Sequence, residues 1–160
     1  MARLDKILKL GDPKLYKISA PLNKTDLDSL KPVIDDLHHT LMEFKAKYHA
    51  GRAIAAPQLG VMKRLIYMYI TEPVILINPE LFDFSEERLE LWDDCMCFPQ
   101  LLVKVQRHKQ CKLKFFNLDW KEEIWELEGD LSELLQHEVD HLNGVLAVQR
   151  AINDKSFAWR

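Results

Sequence analysis

The segment Gln136-His137-Glu138-Val139-Asp140-His141 contains the pattern H-E-x-x-H. Four residues are slightly more than one helical turn, so on a helix His137 and His141 share a face and can grip one metal ion. Glu138 then lies one residue round, beside the open coordination position. A carboxylate there takes a proton from the attacking water and passes it to a leaving group. Hydrolytic sites of this kind use three protein ligands and leave the fourth position open. The third ligand must come from another segment. Of the three cysteines, Cys95, Cys97 and Cys111, the best candidate is Cys95, in Trp92-Asp93-Asp94-Cys95-Met96-Cys97-Phe98-Pro99. Residues i and i+2 of an extended strand point the same way, so Cys97 can join it. Two thiolates with two imidazoles would close the site and make it structural.

Two helices and several strands must position these groups. Leu30, Val33, Ile34, Leu37, Leu41, Phe44 and Tyr48 recur at steps of three and four, predicting a long helix over 31–48. Pro32 fits its first turn. His38 and His39 fall outside the stripe and read as solvated. A second helix spans about 131–143, with Asp130 as N-cap, Glu133 as its capping-box partner and Gly144 just past the end. Gly51 to Gly60 reads as a loop or edge segment. Strands are expected over 65–70 and 74–77, broken at Glu72-Pro73, and over 111–116 and 122–128 around a turn. The expectation is an α+β fold: antiparallel or mixed β-sheets around a central helix carrying H-E-x-x-H, with one long N-terminal helix, as one domain over 1–160.

The chain has 160 residues, 22 Lys and Arg against 25 Asp and Glu, and a formal charge of −3. That balance excludes a nucleic-acid coat or a polybasic membrane patch. No apolar run approaches the ~18 residues of a membrane span. Met1 to Lys6 alternates charged and apolar residues, unlike a secretory signal. Three cysteines do not make a disulfide framework. The chain reads as cytoplasmic.

Three segments together resemble the peptide deformylase family, metallohydrolases that remove the formyl group from nascent N-termini. Gly51-Arg52-Ala53-Ile54-Ala55-Ala56-Pro57-Gln58-Leu59-Gly60 is similar to the family's Gly-Φ-Gly-Φ-Ala-Ala-Pro-Gln-Φ-Gly. Asp93-Asp94-Cys95-Met96-Cys97 resembles Glu-Gly-Cys-Leu-Ser, and Gln136 to Leu142 matches Gln-His-Glu-Φ-Asp-His-Leu unchanged. Asn78-Pro79 also sits where the family often has that pair. The resemblance implies that Cys95, His137 and His141 hold one divalent metal, typically ferrous iron, with zinc, nickel or cobalt able to substitute. It implies that Glu138 is general base and then acid, and that Gln58 and the backbone N–H of Met96 stabilise the oxyanion. It pairs Arg107 with Asp93. It implies an N-formylated peptide as substrate, transient contact with the ribosome, and no direct nucleic-acid or membrane partner.

The departures fall in the substrate cleft. The resemblance implies substrate contacts from Gly51, Arg52, Ala53, Asp130, Glu133 and Leu134. Arg52 occupies a usually apolar position, Ala53, Asp94 and Cys97 replace two glycines and a serine, and Asp130 and Glu133 stand where the family is more apolar. The longer C-terminal helix that helps some members dock the ribosome is missing or very short. These changes leave three functions open: hydrolysis of N-formyl peptides, the same chemistry on another N-acyl substrate with a more polar pocket, or a metal- or peptide-binding scaffold. The intact Gln58, Cys95, Glu138, His137 and His141 favour turnover.

Overall fold

The structure, a computed structural model, describes residues 3–160; the expectations for Met1 and Ala2 lie outside them. Helix α1 is Lys31–Tyr48 and α2 is Asp130–Leu142. The strands are β1 (Ala53–Ala55), β2 (Leu65–Tyr69), β3 (Pro73–Phe82), β4 (Arg88–Asp93), β5 (Leu101–His108), β6 (Gln110–Phe116), β7 (Glu122–Glu128) and β8 (Phe157–Trp159). One sheet runs β1-β2-β3-β6-β7 and a second runs β4-β5-β8. Every strand pairing in them is antiparallel. The α+β architecture expected from the sequence is therefore present, with antiparallel rather than mixed sheets.

α1 forms where the stripe predicts it and buries Leu37, Leu41 and Phe44. His38 is not free in solvent: its Nδ1 lies 2.6 Å from the Tyr67 hydroxyl of β2, which draws the ring onto the sheet. His39 stays exposed. Gly51 to Gly60 resolves into edge strand β1 and a 3₁₀ turn, Ala56–Leu59, ended by Gly60 at φ 79°. β3 runs past the expected Ile77. Its register with β6 shifts between Ile77 and Glu80, where Asn78 adopts φ 50°. Asn78 is held there by its side chain, which accepts from the Leu22 N–H and donates to the Leu22 carbonyl, both at 2.8 Å.

The second sheet was not expected at all. β4 and β5 do alternate, but two of their inward residues are charged. Asp93 and Arg107 are both buried, which breaks the apolar period of two. α2 packs against both sheets, and residues Ser132 to Leu142 are all buried. Leu134, Leu135, Val139 and Leu142 join the core formed with Ile66, Leu76, Leu113 and Phe115. A helix enclosed on every side holds its polar groups to one geometry.

Candidate metal centre

α2 begins differently from the sequence expectation. Its N-cap is Gly129 (φ 60°, ψ −125°), not Asp130, and no side chain caps the first turn. Asp130 is the first helical residue and is exposed, a favourable place for a negative charge. Glu133 is no capping partner, because its carboxylate is drawn to Arg52. The other end is as expected, with Gly144 at φ 72° just past the last turn. Gln136 fixes the helix lengthwise. Its amide accepts from the His108 N–H at 3.0 Å and donates to the His108 carbonyl at 2.8 Å, as a neighbouring strand would.

β4 delivers the cysteine. The strand ends at Asp93, and the chain turns through Cys95 to Cys97, closed by Phe98 N–H donating to the Cys95 carbonyl at 3.1 Å. The segment is not extended, so the reasoning that would aim both thiols one way does not apply. Cys95, His137 and His141 converge, with their donor atoms within 4.8 Å of one another. His141 Nε2 lies 3.3 Å from Cys95 Sγ and 3.2 Å from His137 Nε2. A tetrahedral ion with bonds of about 2.1 Å to nitrogen and 2.3 Å to sulfur separates its ligands by roughly 3.4–3.6 Å, so the donor set fits one ion. Cys97 stands outside that cluster. Gln58 is oriented by the end of the preceding strand, its Oε1 accepting from the Ala55 N–H at 2.9 Å. That turns its Nε2 toward the thiols, at 3.6 Å from both Cys95 Sγ and Cys97 Sγ.

A line of charges backs the ligands. Asp93 Oδ2 accepts from His137 Nδ1 and from Arg107 Nη2, each at 2.9 Å. Arg107 Nη1 donates at 2.9 Å to Asp140, which Arg150 grips with two further bonds at 2.6 and 2.9 Å. Burial alone would raise the Asp93 pKa; His137 and Arg107 outweigh it and hold the carboxyl well below the usual range. Burial likewise opposes the charged form of His137, but Asp93 prevails and pushes it up to about 9. The hydrogen bond to Nδ1 leaves Nε2 facing the site. Burial pushes Glu138 up to about 7, and its Oε1 has no partner among the described residues. Burial also raises the Cys95 thiol; a bound cation reverses that by favouring the thiolate. Unpartnered buried carboxylate oxygens are rare and mark a working group.

The cleft beside these groups is lined by Gln58, Asp93, Cys95, Met96, His137 and Glu138, joined by Gly51, Arg52, Ala53, Glu133 and Leu134 from the substrate set expected from sequence. Asp130 is not among its walls, and Arg107 lies behind it. Gly51 is at φ 113°, and a Cβ there would meet Phe44, Leu41 and Met96 side chains at 3.2–3.5 Å. The cleft is narrow, about 50 Å³. A cavity of about 540 Å³ on the other face of α2 holds none of the three ligands, so size does not locate the chemistry here. Asp140, Arg150 and the Gln136 clamp were missed as supports. Only their place within or beside H-E-x-x-H hinted at them.

A buried helix presenting His137, Glu138 and His141 to a thiolate from another element is the arrangement of a metal-dependent hydrolase. The polypeptide deformylase family profile matches residues 4–157. The peptide deformylase of Thermotoga maritima is 36% identical over 146 residues, covering 91% of this chain and 85% of that one. The crystal structure of the Thermotoga maritima enzyme superposes with a TM-score of 0.82 at 35% identity, covering 92% of this chain and 97% of that one. A class I type b peptide deformylase from Acinetobacter baumannii, bound to Met-Ala-Ser, gives 0.82 at 30% identity, with 90% and 96% covered. The chain belongs to the polypeptide deformylase family.

Proposed function

We propose that this chain removes the formyl group from the N-terminus of peptides by metal-assisted hydrolysis, acting as one domain. Cys95, His137 and His141 would hold one divalent ion, ferrous iron in the cell, for which zinc, nickel or cobalt can substitute. When bound, the ion polarises the formyl carbonyl and makes water a stronger nucleophile. The donor set does not choose among these metals by affinity alone.

The remaining work falls to the chain. Glu138 accepts a proton from the attacking water and returns it to the departing amine nitrogen. Gln58 Nε2 and the Met96 N–H stabilise the charge that grows on the formyl oxygen. Asp93 keeps the His137 ring in register, and Arg107 keeps Asp93 charged. Gly51, Arg52 and Ala53 at the start of edge strand β1 border the substrate, with Glu133 and Leu134 of α2 lining the same cleft. The Met-Ala-Ser bound by the Acinetobacter relative supports a peptide in this cleft. The family supports a cytoplasmic enzyme acting on N-formylated peptides without binding nucleic acid or membrane. Among the described residues no helix is long and apolar enough to cross a membrane.

The observation that carries the reading is Glu138 Oε1, buried without a partner beside the converging Cys95, His137 and His141. The test is formate release from N-formyl peptides by the protein loaded anaerobically with iron. Formate in proportion to enzyme supports the reading; none with iron, zinc, nickel or cobalt sinks it.

A further inference from the structure

An ion pair lines the cleft that holds Glu138. Arg52 Nη2 lies 2.7 Å from Glu133 Oε1, joining the approach to β1 to the first turns of α2. The Arg52 side chain is 41% exposed and that of Glu133 only 9%. Glu133 precedes His137 by four residues, so its side chain shares the metal-binding face of α2. In an N-formyl peptide the first Cα is bonded to the formamide nitrogen, which places the first Cβ about 3–4 Å from the carbon attacked. That side chain therefore begins beside the reacting groups and meets whatever lines the cleft next to them.

Arg52 and Glu133 both line the same narrow, half-open cleft as Cys95, His137 and Glu138. An entering side chain has to contact the guanidinium and carboxylate or displace one of them. The surrounding charge is one-sided. Asp94 and Asp130 also act on Arg52. Asp94 is held by Arg160 at 2.9 Å, whereas Asp130 has no ion-pair partner among the described residues. Of the carboxylates acting on Arg52, two, Asp94 and Glu133, stand in the cleft wall with that one guanidinium.

Resting on the deformylase reading above, we propose that Arg52 and Glu133 are specificity-determining residues. They make the first-residue subsite polar, so that N-formyl peptides beginning with a donor-bearing side chain (serine, threonine or lysine) are hydrolysed in preference to those beginning with methionine. A thioether chain strips water from the pair and returns no hydrogen bond. A hydroxyl or ammonium group donates to the carboxylate instead, and sites built to hydrogen-bond a substrate discriminate strongly against analogues that cannot. An acidic first residue meets the excess of carboxylates and is disfavoured.

The test is kcat/KM of the iron-loaded enzyme on formyl-X-Ala-Ser with X as Met, norleucine, Ser, Lys and Glu, together with calorimetric affinity for the matching deformylated peptides. Ser and Lys should exceed Met by about tenfold in both measurements, as expected for uncompensated polar burial. The joint variant Arg52→Ile/Glu133→Ile should move the ratio about tenfold or more toward Met. If that variant fails to fold, Arg52→Ala serves: it bares the Glu133 carboxylate and should raise Lys over Met. A preference for Met or norleucine over Ser and Lys that none of these substitutions moves would overturn the proposal. No turnover of any peptide would overturn the deformylase reading, and the subsite proposal with it.

Discussion

Glu138, Cys95 and Arg107 each make a separable prediction. Replacing Glu138 by Gln keeps shape and removes the proton acceptor, so metal content should stay at one ion per chain while turnover falls by about 10²–10⁴-fold. Near-normal turnover would assign the proton transfer to another group. Cys95→Ala should lose the metal and Cys97→Ala should retain it, read by metal stoichiometry after gel filtration; the reverse would make Cys97 the ligand. Arg107 lies between two buried carboxylates, Asp93 and Asp140, at 2.9 Å from each. Arg107→Met leaves Asp93 to His137 alone and Asp140 to Arg150 alone, and breaking a buried pair costs about 3–5 kcal/mol. Denaturant unfolding should show that loss. A fall in metal affinity of about 10–100-fold should accompany it, because Asp93 positions His137.

At the level of helices and strands, the critical junction is the end of α2. Gly144 is at φ 72°, and a Cβ there would come within 2.4 Å of the Tyr16 carbonyl oxygen. The Ser19 N–H donates to the Leu142 carbonyl at 2.8 Å, so the N-terminal segment is pinned to the same helix end. Gly144→Ala combines a strained backbone with a backbone clash and should destabilise the protein by at least about 2 kcal/mol. An unchanged unfolding midpoint would show that the two segments separate easily. The elements readable from the sequence are α1, the far part of α2, the β6–β7 hairpin, where Cys111, Leu113 and Phe115 alternate inward, and β2, whose β-branched and aromatic run is buried on both faces. β4 and β5 were hidden by the residues that tune the site, since Asp93 and Arg107 face inward and erase the alternation. β3 runs beyond the expected Ile77 because the strand continues through the register shift between Ile77 and Glu80, where apolar spacing is interrupted. Glu133 reads both as a local capping partner and, through the resemblance, as a substrate contact beside Arg52; only the fold decides between them, by bringing Arg52 to it across 81 positions. The ligand set was legible because H-E-x-x-H places two donors by helical geometry alone, while the charges behind it depend on contacts between distant strands.

For the whole molecule, the ion is a bridge between parts of the fold. Cys95 follows a strand of the three-stranded sheet, and both imidazoles come from the helix between the sheets. A ligand that binds only the folded state stabilises it by about 2.7 kcal/mol at a concentration one hundred times its Kd. For a chain of this length that corresponds to a rise in Tm of about 5–10 °C. Calorimetric scans with and without a chelator should show the difference, and identical scans would mean that the site holds no ion. The spread of the ligands along the chain also sets an order of assembly during synthesis. His141 is made 46 residues after Cys95. At about 5–20 residues per second, that leaves a window of about 2–9 s in which the thiol exists without its imidazole partners. Through that interval Cys95 has neither of its imidazole partners and no folded core around it. The full ligand set can therefore capture its ion only once the last helix has emerged.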